Sequence, residues 1–473
     1  MGTPTPPTAL DPVTMYDGSA VGVVQLVAQY LLWLETDFTL KPQLATSWRG
    51  DRAGRVWSFT LREGVAFSDG TPLTSAAVKA SFDRLLDPKS KSSALASFDG
   101  ILAAGGVDVR GDHTVVFTLQ RPFSDFPYLV SAANYNAVIL KSDYAGDFSS
   151  HPVGTGPFLL KSYDASTGAT LVRNPSYWEQ GRPYLDGVKV RFFSDTQAEQ
   201  IALQSGDLDA LILTDATAVT AAGDVVLDKA ASTIMTAFTM RVDRAPFDKK
   251  EVRQAIAYAL DRPAIDAGTN NNFGQLGNDH LFAPLFAASP TDLPQRAKDP
   301  DKAKALLQAA GVSQLSFTLT FDPMNKNYAL VVQDQLGKIG IKVKLKELPS
   351  SQFYGGDQSS DTPWLFTDAN LVSWAGRPIP SQFIGPMVTS HGVWNGSKYA
   401  NPAVDTALKA YDAATDAAER KKQAAVIAGA LHEDVPVILA VWDGAVRAYN
   451  RRTFQGISAH PSSFVDFSAV SRA

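Results

Sequence analysis

Apolar positions along this chain switch repeatedly between two periods. Val56-Trp57-Ser58-Phe59-Thr60-Leu61 and Thr114-Val115-Val116-Phe117-Thr118-Leu119 alternate apolar with polar, and a period of two marks a half-buried strand. Between them, Ser68-Asp69-Gly70-Thr71-Pro72 has the composition of a turn. From about Ser75 the period lengthens: Val78, Phe82, Leu85 and Leu86 fall on one face of a predicted helix that Asp87-Pro88 stops. Residues from about 41 to 152 therefore read as a strand-helix-strand lobe.

The same alternation of helix and strand continues to the end. Asp248, with Glu251 three positions on, reads as a capping box, and Val252, Ala255, Ile256, Ala259 and Leu260 as the apolar stripe that follows. Asp299-Pro300 opens another helix, with Gly311 just past its end. Ser316–Phe321 alternates as a strand; Val332, Leu336 and Ile339 mark a helix; Ile341, Val343 and Leu345 mark a strand after Gly340. Val426, Ile427, Ala430 and Leu431 are helical, and Val435 to Trp442 reads as a buried strand. Helix and strand joined by short links predict an α/β fold.

Composition narrows the picture. The chain has 473 residues, 45% hydrophobic and 19% charged, which is too long for one small core, so two or three lobes are expected. Net charge is -5, from 43 basic and 48 acidic residues with no long Lys or Arg run, so the sequence lacks a nucleic-acid footprint. The absence of cysteine excludes disulfides, thiolate metal sites and a Cys nucleophile. No apolar run reaches the roughly 18 residues of a membrane helix. Met1-Gly2 reads as a start placed just after a removed leader, a reading that a genomic frame beginning at this Met would overturn.

Several segments then stand out in order: Leu44-Ala45-Thr46-Ser47-Trp48, Trp57 to Val65, Phe67 to Thr74, Pro152-Val153-Gly154-Thr155-Gly156-Pro157-Phe158, Arg173-Asn174-Pro175-Ser176-Tyr177-Trp178, Gln204 to Asp209, and Pro246-Phe247-Asp248 leading into Val252-Arg253-Gln254-Ala255-Ile256 and Ala259-Leu260-Asp261-Arg262. Together they resemble the bacterial extracellular solute-binding proteins of family 5, the dipeptide, oligopeptide and nickel type, from about Leu10 to about Trp442. The resemblance implies a two-lobed periplasmic-binding-protein fold of the large peptide-binding type. It places a first lobe at about 1–40, 153–238 and 447–473, an inserted subdomain at 41–152, and a second lobe at 239–446. It implies a monomer, periplasmic or extracellular and membrane-anchored, that captures a peptide, an opine or a similar solute between its lobes. The closed complex would dock on an ABC permease. No cofactor and no metal is called for.

Most of the matched segments read as scaffold. Gly154-Thr155-Gly156-Pro157 is expected to be a tight turn that uses glycine's backbone freedom, and Pro157 spoils a phosphate-loop reading. Arg253, Asp261 and Arg241 are expected to be structural.

Three places could carry ligand contacts, by the resemblance. After Leu10-Asp11-Pro12 an extended run holds Tyr16, Asp17 and Gly18, which could offer backbone groups to a ligand; a surface loop is the alternative. Around Trp374, peptide binders resemble Trp-x-x-Asp-Tyr, the Asp holding the ligand's α-ammonium group. Here Ser373-Trp374-Ala375-Gly376-Arg377-Pro378 places Arg377 at the acidic position. An Arg repels an ammonium group but pairs with carboxylate or phosphate, so the ligand is expected to carry an anionic group unless Arg377 pairs within the protein. Trp374 suits stacking on a ligand, and Trp394 could close the same wall; core packing is the alternative for both. The third place is Gly277-Asn278-Asp279-His280, where Asp279 and His280 suit a cleft rim; a structural turn is the alternative for each. Asn134, which can donate and accept, is a further candidate.

Enzyme chemistry finds little support. None of the six histidines pairs at metal-ligand spacing, there is no Gly-x-Ser-x-Gly elbow and no phosphate-loop Gly-Lys-Ser/Thr, and His432-Glu433-Asp434 reads as a polar helix end. A hydrolase is the alternative from another class, and an oligosaccharide binder of the same family is the alternative on ligand.

Overall fold

Val56–Leu61 and Thr114–Thr118 are antiparallel neighbours, as the alternation predicts. They lie in a four-stranded sheet ordered Ala45–Gly50, Val56–Leu61, Thr114–Thr118, Val107–Val109. The helix Ser75–Leu86 lays Phe82 edge-on against Phe117, ring centroids 5.0 Å apart, and Phe59 meets Phe117 at 5.5 Å; such edge contacts add to the area the rings bury.

The computed structural model describes the chain apart from residues 8, 147, 213–220, 222, 356–361, 462–463 and 465. It divides into two units, Met1–Ala230 with Ala445–Ala473, and Ala231–Gly444. The chain passes between them within two strands, Val225–Met240 and Val441–Asn450.

The first unit holds, besides the sheet above, a second four-stranded sheet ordered Gly2–Pro4, Gly187–Phe193, Gly168–Arg173, Phe158–Asp164. Its first pair is parallel and the others antiparallel. The helix Gly18–Val27 is buried over nearly its whole length.

The second unit is built on a seven-stranded mixed sheet. Its main path runs Gln275–Leu276, Val441–Asn450, Val225–Met240, Ala369–Trp374, Ser316–Phe321, Lys342–Glu347, and Val437–Ile438 also pairs with Val225–Met240. Ser316–Phe321 and Lys342–Glu347 are parallel, joined through the helix Lys326–Gly337, the crossover that parallel strands require. Phe238, Met240, Val252, Ile256, Leu319, Val332 and Leu371 share its apolar core.

Two expectations about local structure are corrected. The helix expected to be capped at Asp248 starts at Lys250, after Lys249, with no side-chain cap. Its start is fixed instead by Arg253, whose Nη1 donates to the Phe247 carbonyl at 2.6 Å. Val435 to Trp442 is buried throughout, but its strand is broken between Val437–Ile438 and Val441–Asn450, because Ala440 and Leu439 carbonyls turn to the segment around Gly277 and Asp279. The Asp299 expectation holds: its Oδ1 accepts from the Lys302 N–H at 2.9 Å, the helix runs Pro300–Ala309, and Gly311 takes φ +68°.

Candidate functional site

The glycine motif of the first unit is a joint between three matched segments. The Gly156 N–H donates to the Val27 carbonyl at 2.8 Å, the Ser68 N–H donates to the Gly154 carbonyl at 2.9 Å, and Asn174 Nδ2 donates to the Gly156 carbonyl at 2.9 Å. Neither glycine has positive φ, so the expected reason is corrected. A Cβ at Gly154 would lie 2.2 Å from the Val27 oxygen and one at Gly156 2.5 Å from its carbonyl carbon. Glycine is needed for close approach to the end of a buried helix. Arg253, Asp261 and Arg241 are structural as well. Arg253 Nε donates to the Asp434 carbonyl at 2.8 Å, Asp261 caps the helix Arg262–Asn270, and Arg241 forks onto Asp243 at 2.8 and 2.7 Å.

Trp374 ends the strand Ala369–Trp374, which pairs with Val225–Met240 from Ala369 opposite Met240 to Trp374 opposite Met235. Its ring is one corner of a tryptophan triangle. Trp374 and Trp394 are 5.7 Å apart, Trp364 and Trp374 6.0 Å, and Trp364 and Trp394 6.5 Å. Tyr354 joins Trp364 at 6.1 Å. Trp364 had no signal in sequence, because a lone Trp in the short helix Pro363–Phe366 lies on no recognisable pattern. Trp374 is only 9% exposed, yet its indole Nε1 is buried with no acceptor among the described residues. A buried donor left unpaired costs about 1–3 kcal/mol.

Beside the triangle lies a polar cluster. Asn325 Nδ2 donates to Asp322 Oδ1 at 2.7 Å and to Ser373 Oγ at 2.9 Å, and Thr236 Oγ1 donates to Asn325 Oδ1 at 3.0 Å. The Ser373 N–H donates to Tyr354 Oη at 3.2 Å. Burial pushes the Tyr354 hydroxyl up to about 12, so it stays protonated. Arg377 follows, half-buried, its main chain bound to Thr233 on both sides: its N–H donates to Thr233 Oγ1 at 2.9 Å and its carbonyl accepts from that hydroxyl at 2.8 Å. Trp374 and Trp394 thus stand together at the end of the strand Ala369–Trp374, and the Arg377 backbone is tied to Thr233 just beyond it.

The other candidates lie elsewhere. In the first unit Tyr16 is 62% exposed, Asp17 Oδ1 caps the helix Gly18–Val27 by accepting from the Ala20 N–H at 2.8 Å, and Gly18 is that helix's first residue. The run before it is held by Asn136, whose Nδ2 donates to the Pro12 and Met15 carbonyls, both at 2.9 Å. Asn134 donates instead to the Leu129 carbonyl at 3.0 Å. Within Asn134-Tyr135-Asn136 the residue that organises the extended run is therefore Asn136.

The rim expected at Asp279 and His280 is corrected most sharply. Asp279 is fully buried in the second unit. Arg262 Nη2 donates to both its oxygens, at 2.8 and 2.7 Å, Arg296 Nε donates at 2.7 Å, and the Leu439 N–H at 3.2 Å. A carboxylate so paired is an internal cross-link, since a buried charge persists only with partners. His280 is buried beside it, its imidazole pushed down to about 4 by desolvation, so it is neutral near pH 7. His432, Glu433 and Asp434 form a polar helix end: His432 Nδ1 lies 2.9 Å from the Asn278 carbonyl, and Lys250 pairs with Glu433 at 2.6 Å. Among the described residues no group of three or more His, Cys, Asp or Glu could hold a metal ion, and no helix is long and apolar enough to cross a membrane.

Residues 39–395 match the family described as "Bacterial extracellular solute-binding proteins, family 5 Middle". The chain is 26% identical over 463 residues to the glutathione-binding protein GsiB of Shigella flexneri serotype 5b, covering 94% of this chain and 88% of that protein. It is 28% identical over 444 residues to the probable D,D-dipeptide-binding periplasmic protein DdpA of Escherichia coli, covering 89% and 84%. The solved structure of HbpA2 from Haemophilus parasuis superposes with a TM-score of 0.84 at 21% identity over 100% of this chain and 99% of that one, which places the chain in the two-lobed periplasmic-binding fold. The sequence motifs, the α/β fold and a match over most of the length agree: this chain belongs to the bacterial extracellular solute-binding proteins of family 5.

Proposed function

We propose that this protein captures a small solute carrying an anionic group, a peptide or an opine-like molecule, and delivers it to the permease of an ABC importer. The observation that carries the reading is the unsatisfied indole N–H of Trp374, three residues before Arg377, in a triangle of tryptophans. A ligand oxygen would satisfy a buried donor that the protein leaves unpaired. Rigid aromatic rings offer contact area at low entropic cost, and a guanidinium adds bidentate pairing with carboxylate. A relative named for binding glutathione, a peptide with carboxylates, is in keeping with an anionic ligand. Nothing in this reading asks for covalent chemistry. The protein acts as a monomer outside the cytoplasm, in the periplasm or at the outer face of the cell membrane. Residues 41–152, which carry their own four-stranded sheet, form an inserted subdomain of the first lobe.

Native mass spectrometry of freshly purified protein, followed by identification of what denaturation releases, tests the ligand class. An acidic peptide or opine is expected; a neutral oligosaccharide would make Arg377 structural. Arg377→Glu is expected to weaken binding of the released solute by at least about tenfold, the worth of roughly 1.4 kcal/mol. Unchanged affinity in that variant would sink the anion reading.

A further inference from the structure

The first unit contains a cavity of about 550 Å³, within the size range of small-molecule sites. It is built wholly from first-unit residues, whereas the ligand wall proposed above belongs to the second unit. Arg62 lies over the Trp178 ring, its guanidinium carbon 4.4 Å from the ring centroid. Its Nε donates to the Gln43 carbonyl at 3.1 Å, and its terminal nitrogens have no partner among the described residues. Trp178 is fixed in turn: its Nε1 donates to Gln29 Oε1 at 2.7 Å, and Gln29 Nε2 donates to the Tyr177 hydroxyl at 2.9 Å. The guanidinium is therefore held flat with its fork unoccupied.

Charge bookkeeping around the cavity is uneven. Lys41 pairs with Glu35 at 3.0 Å and Arg182 with Glu179 at 3.3 Å, so these four lining residues cancel. Two charges remain, Arg62 and Asp466. Asp466 Oδ1 accepts from the Ser468 N–H at 2.9 Å and from the Ser468 hydroxyl at 2.6 Å, but no cation lies within ion-pair distance of it among the described residues. One uncompensated cation and one uncompensated anion facing a single cavity match a ligand that carries both signs.

We propose that this cavity is a second binding site, for a dipolar molecule of free amino-acid size. Its carboxylate takes the terminal nitrogens of Arg62, its ammonium group takes Asp466, and its hydrocarbon part lies against the aromatic walls that Trp33 and Phe467 supply.

Saturation-transfer NMR on the intact protein tests this with three probes of one skeleton: L-leucine, the same skeleton without its amino group (isocaproate), and the same without its carboxylate (isoamylamine). L-leucine is expected to bind at least about tenfold tighter than either truncated probe, since each truncation removes one charge-assisted bond. Arg62→Gln should abolish the L-leucine signal, and Arg377→Glu should leave it unchanged. Because Asp466 is exposed, Asp466→Asn will fold, and it should bring L-leucine down to the affinity of isocaproate. The proposal is overturned by no L-leucine signal in the wild type, by equal binding of all three probes, or by an undiminished signal in folded Arg62→Gln. Loss of the signal in Arg377→Glu would move L-leucine to the second-unit wall and overturn it equally.

Discussion

Thr233 and Arg377 exchange two hydrogen bonds through one hydroxyl. Thr233 Oγ1 donates to the Arg377 carbonyl at 2.8 Å and accepts from the Arg377 N–H at 2.9 Å. The regular pairing of the two strands ends at Met235 opposite Trp374, so the hydroxyl continues by side chain a ladder that the backbone has left. Thr233 is fully buried, so Thr233→Val removes, at nearly unchanged volume, the one hydroxyl that serves both the amide and the carbonyl of half-buried Arg377. A loss of about 1–3 kcal/mol in urea unfolding is expected, along with weaker binding of the anionic solute as Arg377 loses its anchor. Thr233→Ser should restore most of both. A Val variant as stable and as tight-binding as the wild type would show that this junction holds nothing.

The buried Asp279 makes a different demand. With Arg262 and Arg296 both aimed at it, Asp279→Asn leaves two guanidinium groups in the core of the second unit with no counter-charge. Removing one partner of a buried ion pair costs about 3–5 kcal/mol, and chemical denaturation should show a loss of that size. Solute affinity of the variant that remains folded should be unchanged. A variant of wild-type stability that no longer bound solute would return Asp279 to the ligand.

These two residues also mark what the sequence could and could not tell. Strands such as Val56–Leu61 and Ser316–Phe321 were legible because their period is a property of the residues themselves. The aspartate cap at Asp299 was legible because it acts over three positions. Asp279 was misread because its partners stand 17 residues away at Arg262 and Arg296 and 160 away at Leu439; a polar run flanked by glycine is the same string whether it lies on a rim or around a buried ion pair. The glycines at Gly154 and Gly156 were singled out, but for the wrong cause, since close approach to Val27 leaves no local trace. The wall at Trp374 was half legible. Trp374 and Arg377 were marked by the family motif, while Trp364 joins by ring contacts from a separate short helix and Thr233 by hydrogen bonds across 144 positions.

Gly156 offers a test of that approach. A methyl group there would sit 2.5 Å from the Val27 carbonyl carbon and 2.6 Å from its oxygen. These are backbone atoms at the end of a buried helix and cannot swing aside as a side chain would. Gly156→Ala is expected to lower stability by about 1–3 kcal/mol through forced backbone shifts, read as a fall in thermal midpoint. A variant that melts with the wild type would mean that the helix end yields freely.

Asp443 sets a pH dependence whose sign can be worked out. Burial pushes its carboxyl up from the ordinary 3.8 to about 6, Asp266 nearby pushes in the same direction, and a hydrogen bond from Asn270 Nδ2 at 2.9 Å opposes both. The folded protein thus holds a proton that the unfolded chain has released between about pH 4 and 6. Its favourable contribution is fully present below pH 3.8 and is lost as pH rises through 6. Above that, the fold carries a half-buried, poorly compensated carboxylate. Asp443→Asn keeps an acceptor for Asn270 and removes the charge. The variant should therefore match the wild type in unfolding free energy near pH 4 and exceed it near pH 7.5, by on the order of 2 kcal/mol. Because the comparison is a difference at each pH, groups remote from Asp443 cancel to first order, whereas relief of the repulsion with Asp266 adds to the gain at pH 7.5. A gain of equal size at both pH values would assign the effect to packing rather than to ionisation, and a loss at pH 7.5 would mean that the carboxylate is stabilised by a partner it keeps when charged.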